Sequence, residues 1–160
     1  MIVKGVIFED FVNYKKPCMT IEFPKCSFKC DHECGMEVCQ NSALPTYPNI
    51  EVDIDKLVKR YVNNPITHAV VMQGLEPFDS WNELYQFIDI LRHKYKNNDD
   101  IVIYTGYKEN EITEYTTVLS SDFDNIIIKF GRFIPNSNSI FDDILGVTLA
   151  SDNQYAMKIS

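Results

Sequence analysis

Apolar residues follow two different periods along this chain. The opening IVKGVIFEDF mixes β-branched and aromatic residues, as does MTIEF (19–23) after a polar stretch containing Pro17, and both predict short strands. No period holds from 24 to 49, a cysteine-rich loop followed by LPTYPN, which reads as an irregular connection. DIDKLVKRYVNN (53–64) then places Ile54, Leu57, Val58 and Tyr61 at helical spacing behind an acidic first turn. THAVVMQ (67–73) is a continuous apolar run, the pattern of a strand covered on both faces. DSWNELYQFIDILRHKYKNN (79–98) predicts the best helix, with Asp79 or Ser80 as N-cap, Glu83 in a capping box, and Trp81, Leu84, Phe87, Ile88 and Leu91 as its buried stripe. IVIYT (101–105) predicts a strand, ENEITEYTTVL (109–119) a helix and NIIIKF (125–130) another strand.

Strand, helix, strand, helix, strand at this spacing predicts parallel, right-handed βαβ units, hence an α/β protein with a mostly parallel sheet and flanking helices. Residues 1–160 fit one domain, and no repeat or low-complexity tract divides them. In sheets of this kind chemistry gathers at the carboxyl ends of the strands. Those ends are QGLEPF (73–78), TGYK (105–108) and GRF (131–133), and the cysteine loop follows TIEF, so all four segments are expected on one rim.

Composition narrows the function. Apolar residues make up 45% of the chain, enough for a proper core rather than a disordered segment. A formal net charge of −8 opposes any general grip on nucleic acid. No apolar run approaches the roughly 20 residues that span a bilayer, so no membrane partner is expected. The apolar start ends at Glu9 and Asp10, unlike a secretory signal, and a cytoplasmic location is expected. A reducing compartment turns five cysteines away from disulfides and toward a metal or redox site.

Four of those cysteines, Cys26, Cys30, Cys34 and Cys39, fall in PKCSFKCDHECGMEVCQNSAL (24–44), while Cys18 stands apart. Structural zinc is one reading, since four thiolates close a tetrahedral site, but zinc knuckles usually come as two short pairs separated by a longer stretch. An iron–sulfur cluster is the sharper reading, because thiolates are its usual ligands. Three cysteines on a four-iron cubane leave one iron open to a substrate or cofactor. His32, inside the loop, is a weak further ligand candidate; His68 and His93 have no spaced partner.

The stretch FVNYKKPCMTIEFPKCSFKCDHECGMEVCQNSAL resembles the N-terminal region of the radical S-adenosylmethionine superfamily, and more narrowly the activating proteins of anaerobic ribonucleotide reductase. The family pattern is C-x3-C-x2-C, with an apolar residue before the last Cys and often an Asn two positions after it. Cys39, between Val38 and Gln40-Asn41, matches that signature; Cys34, between Glu33 and Gly35-Met36, does not. The interval from Cys30 to Cys39 is x8, as though six residues including Cys34 had been inserted. The resemblance therefore implies Cys26, Cys30 and Cys39 as cluster ligands, with Cys34 as the alternative third. It continues in MQGLEPF (72–78), similar to a Gly-Gly-Glu-Pro stretch with Leu75 in place of the second Gly, and in YTGY (104–107). KFGRFI (129–134) resembles an Asp-Gly-Arg/Pro-Phe stretch whose acidic lead-in is replaced by Lys129 and Phe130, and LASDNQ (149–154) resembles a Ser-x-Asn-Gln segment.

This resemblance implies a partial (β/α) barrel of the radical SAM type holding a [4Fe-4S] cluster and S-adenosyl-L-methionine, the latter bound by Asn41, Gln73, Gly74, Leu75, Glu76, Thr105, Gly106 and Asn153. It implies an enzyme in which an electron from a flavodoxin-like donor cleaves S-adenosylmethionine to a 5′-deoxyadenosyl radical. That radical would generate a glycyl radical on the large subunit of anaerobic ribonucleotide reductase, and no catalytic residue is expected beyond the cluster and cofactor. At 160 residues the chain is too short for a full (β/α)8 barrel, which favours a protein substrate entering from an open side. Three alternatives stay open: a small radical enzyme acting on a metabolite, similar to carboxy-deazaguanine synthase; a non-enzymatic zinc or iron–sulfur module; and a degenerate relative that binds a partner without turnover.

Overall fold

The structure is a computed structural model that describes residues 1–160. Its elements in chain order are β1 (Ile2–Val3), β2 (Gly5–Asp10), β3 (Cys18–Phe23), α1 (Lys29–Cys34), β4 (Ile50–Glu51), α2 (Ile54–Val62), β5 (Ala69–Gly74), α3 (Trp81–Asp89), β6 (Asp100–Tyr104), α4 (Thr113–Asp122), β7 (Ile126–Phe130), β8 (Ile140–Asp142), β9 (Val147–Leu149) and β10 (Tyr155–Lys158). Six strands form the main sheet in the order β10-β7-β6-β5-β3-β2. The central four, β3, β5, β6 and β7, are parallel, and an antiparallel strand closes each edge, β2 against β3 and β10 against β7. The sheet is mixed and open, since β2 and β10 do not pair with each other.

Side-chain alternation assigns the two faces. Met19, Ile21 and Phe23 of β3, Val70 and Met72 of β5, Ile101 and Ile103 of β6, and Ile126, Ile128 and Phe130 of β7 all point to one face. There they meet Leu57, Val58 and Tyr61 of α2, Leu84, Phe87 and Ile88 of α3, and Leu119 of α4. The other face carries Cys18, Ala69, Val71, Val102, Ile127 and Ala156, covered by Leu145, Leu149 and Tyr14. Small residues on that second face leave room above the sheet, and the β8–β9 hairpin lies over it.

The expected long helix over 79–98 is three pieces. Pro77–Ser80 form a 3-10 turn, Trp81–Asp89 the α-helix, and Ile90–Lys94 a π-helical turn. Ser80 makes no side-chain cap bond, and its hydroxyl is buried without a partner. Glu76 caps the 3-10 turn instead, accepting from the Phe78 N–H at 3.2 Å. Asp79 is drawn away from capping: its carboxylate accepts from Tyr107 Oη at 2.6 Å and from the Ser27 N–H at 2.8 Å. Trp81 of the expected stripe is only partly buried; it stacks on Phe78 and meets Tyr115 at a tilt. No helix is long and apolar enough to cross a membrane.

Candidate functional site

The carboxyl ends of the four parallel strands carry a cleft of about 350 Å³, within the usual size range of small-molecule sites. Cys26, Cys30 and Cys39 line it from the cysteine loop, and Asn41 from that loop's exit. Gln73, Gly74, Leu75 and Glu76 line it from the end of β5, and Thr105 and Gly106 from the end of β6. Every residue expected to hold the cluster or cofactor lies here except two, Cys34 and Asn153. Cys34 ends α1 away from the cleft. Asn153 is turned to the Gly131–Arg132 backbone, its side-chain amide donating to Arg132 O at 2.8 Å, and Gln154 takes the place at the wall.

The Phe28 N–H donates to Cys26 Sγ at 3.2 Å. The Phe133 and Asn41 N–H groups lie near the sulfurs of Cys30 and Cys39. The N–H groups favour the thiolate, yet burial is the larger effect and pushes all three thiols up, Cys26 to about 12. Half-buried thiols that are costly to ionise but line one cleft suit cationic iron, which supplies the missing positive charge. No three His, Cys, Asp or Glu side chains converge closely enough to hold a single metal ion. A four-iron cubane places its cysteine sulfurs on different irons, so spaced sulfurs fit it better than they fit a closed zinc knot.

The loop's geometry follows from local strain and ties. Phe28 adopts a left-handed conformation (φ 51°), rare for an aromatic residue, and its carbonyl starts α1 by accepting from the Asp31 and His32 N–H groups. That turn sets Cys26 and Cys30 on the same wall. Asn41 anchors the far end, its side-chain amide donating to Gly74 O at 2.7 Å. Arg132, with a side chain only 4% exposed, makes a bidentate pair with Glu111 at 2.7 Å per bond and faces Glu33 of α1 at 3.4 Å. Arg132 holds the Glu111 carboxyl down to about 2.

Two buried charges share the cleft. Glu76 Oε1 accepts from Thr105 Oγ1 at 2.8 Å, and Oε2 from the Gly106 N–H at 2.9 Å, cross-bracing the ends of β5 and β6. Burial nevertheless raises Glu76 to about 7, against those donors and with Asp79 adding to the rise. Lys129 projects from β7 with a single hydrogen bond, to Gly131 O at 3.0 Å, and burial lowers it to about 8, opposed by the nearby Glu76 and Cys30. In the sequence Lys129 stands out only as a departure from an acidic pattern. Its signal was the period of two, because Ile126, Ile128 and Phe130 on the helix face put Lys129 on the cleft face. Tyr104 and Asn13, joined by a 2.7 Å bond from Tyr104 Oη to Asn13 O, also line the cleft.

The signs of these shifts fix a pH profile for the metal-free chain. Glu76 binds its proton more tightly folded than unfolded, so its contribution is complete below about 4.5 and is lost as pH rises through about 7. Lys129 releases its proton more readily folded, so its contribution is complete above about 10.5 and is lost as pH falls through about 8. The pair therefore depresses stability most near pH 7 to 8. A melting-temperature profile is expected to rise from there toward pH 5, and Glu76→Gln is expected to flatten that limb. A wild-type profile falling over this range, or one unchanged in the variant, contradicts the assignment.

Residues 19–147 match the 4Fe-4S single cluster domain family, a span that takes in β3 from Met19 onward, the whole cysteine loop and the carboxyl ends of the four parallel strands. The chain belongs to that family. No curated protein and no solved structure matches it. As a 4Fe-4S single cluster domain, the chain has a natural seat for its cluster in the only cysteine-lined cavity described above, and its iron–sulfur character accounts for the clustered thiols.

Proposed function

We propose that the chain is a radical S-adenosylmethionine activase. In this reading Cys26, Cys30 and Cys39 hold a [4Fe-4S] cluster, S-adenosyl-L-methionine occupies the rest of the cleft, and the mixed sheet is a partial barrel of the radical SAM type. The observation that carries it is the sharing of one cleft by three thiols and the ends of β5 and β6. A closed metal knot or an electron-transfer module needs no such ligand space beside its sulfurs. When bound and reduced, the cluster supplies the electron that cleaves the sulfonium to methionine and a 5′-deoxyadenosyl radical.

The chain's own residues supply binding and orientation. Glu76 keeps an unused acceptor position on Oε2 for an ammonium group. Lys129 has two donor positions beyond its bond to Gly131 O and offers the cleft its buried positive charge for a carboxylate. Gly106, whose added Cβ would lie 3.5 Å from Cys30 Sγ and 3.7 Å from Glu76 Oε2, keeps the space between sulfur and carboxylate clear. The open sheet supports a protein substrate, the glycine-bearing large subunit of anaerobic ribonucleotide reductase, with a flavodoxin-like protein as donor.

Anaerobically reconstituted protein is expected to be brown, and to release 5′-deoxyadenosine when mixed with reductant and S-adenosylmethionine. Adding the reductase large subunit is expected to produce a glycyl-radical EPR signal. A colourless protein with one zinc overturns the cluster assignment. Release of 5′-deoxyadenosine without a glycyl radical overturns the protein substrate alone.

A further inference from the structure

The interval between Cys30 and Cys39 is eight residues, yet the structure draws its two ends together. Asp31, directly after Cys30, accepts with one carboxylate oxygen from both the Val38 N–H at 2.8 Å and the Cys39 N–H at 2.9 Å. The chain thus leaves at Asp31 and returns to the same side chain at Val38. Between them, α1 runs on to Cys34, Gly35 reverses the backbone at φ 66°, and Met36 and Glu37 lead back. His32, Glu33, Gly35, Met36 and Glu37 are all exposed, Met36 by 63%. An added Cβ on Gly35 would meet nothing within 4 Å.

This excursion touches the body of the protein only lightly. Glu33, half exposed, faces Arg132 Nε at 3.4 Å and Lys108 Nζ at 3.6 Å. The Lys108 pair is exposed and contributes little; the Arg132 side chain is buried, but it keeps its bidentate partner Glu111 without Glu33. The cluster-facing parts of the loop have separate anchors, in Ser27 on Asp79 and Asn41 on Gly74 O. Removing residues 32–37 on paper leaves Cys30, Asp31, Val38 and Cys39 in succession.

We infer that Asp31 is a positioning residue that brings Cys39 beside Cys30 by holding the neck of this excursion, and that residues 32–37, Cys34 included, are an appendage the cluster site does not require. The inference rests on Cys26, Cys30 and Cys39 being the ligands, and its test separates the two.

Amide hydrogen exchange on the metal-free chain reads the neck directly. Asp31→Ala is expected to speed exchange at Val38 and Cys39 by tenfold or more, a loss of about 1.4 kcal/mol of local protection. Asp31→Asn, which keeps an acceptor oxygen, is expected to retain most of that protection. After anaerobic reconstitution, Asp31→Ala is expected to hold less iron and sulfide than wild type, and a chain lacking 32–37 is expected to match wild type in iron, sulfide and the EPR spectrum of the reduced cluster. Unchanged exchange at 38 and 39 in Asp31→Ala, or a folded deletion variant without cluster, overturns the inference. Should the deletion variant fail to fold, the exchange result decides. If instead Cys34→Ala loses the cluster while Cys39→Ala keeps it, the ligand assignment itself falls.

Discussion

Replacing Cys39 with alanine is expected to abolish the cluster, whereas replacing Cys34 is expected to leave iron and sulfide content near wild type. The two residues are five positions apart in one loop, so composition and loop flexibility cannot separate them; placement does. Cys39 lines the cleft together with Cys30, has the Asn41 N–H near its sulfur, and has its own N–H fixed by Asp31. Cys34 lies at the end of α1, followed by a turn exposed to solvent. With Cys26, Cys30 and Cys39 as the ligands, losing one of three thiolates leaves an iron site without its protein ligand. Iron and sulfide per chain, with the visible absorbance of the anaerobic protein, measure the outcome. Equal losses in both variants would mean that all four thiols share the metal.

The second large effect is expected at Gly74. Its φ is +96°, and an added Cβ would stand 2.9 Å from both Glu22 Cα and Phe23 N, backbone atoms of the parallel neighbour β3 that cannot swing aside. Gly74→Ala combines a left-handed backbone cost of about 1–2 kcal/mol with an overpacking cost of about 1–3 kcal/mol. A loss of roughly 3 kcal/mol lowers the melting temperature by about 6–12 °C for a domain of this size. The carbonyl that anchors Asn41 moves with it, so cluster yield is expected to fall further than stability alone dictates. Gly35→Ala is the control: it also has positive φ but meets nothing within 4 Å, and about 1 kcal/mol is expected. A Gly74→Ala protein that melts no lower than Gly35→Ala would contradict the backbone clash.

Much of this arrangement was legible in the chain. The strands at 67–73 and 101–105 follow from apolar runs, because strands covered on both faces need no polar residue, and those at 19–23 and 125–130 from their β-branched and aromatic residues. The rim follows in turn, since parallel strands end on the same side. What the sequence concealed was set by partners distant along the chain. Nothing local tells that Asp79 serves Ser27 and Tyr107 rather than its own helix. The β8–β9 hairpin has strands of three residues, too short for a period to show. Asn153 and Gln154 are adjacent amides, and only the fold shows which one meets the cleft. The closed neck at Asp31 is a side-chain contact across seven positions that no spacing rule anticipates.

The wall that faces the thiols has a consequence for how the site is made. Val147, Thr148, Leu149, Ala150 and Gln154 close the cleft from the C-terminal hairpin and the turn that follows it, while the cysteines belong to the first quarter of the chain. During vectorial synthesis the sulfurs emerge long before the surface that shelters them, and β7 with its Lys129 also comes late. A nascent chain therefore offers free thiols on an unroofed ledge, and the enclosed cavity first exists once translation has passed Gln154. Delivery of a cluster into the walled cleft therefore follows the emergence of Gln154, and in the interval before it the thiols depend on the reducing power of their surroundings.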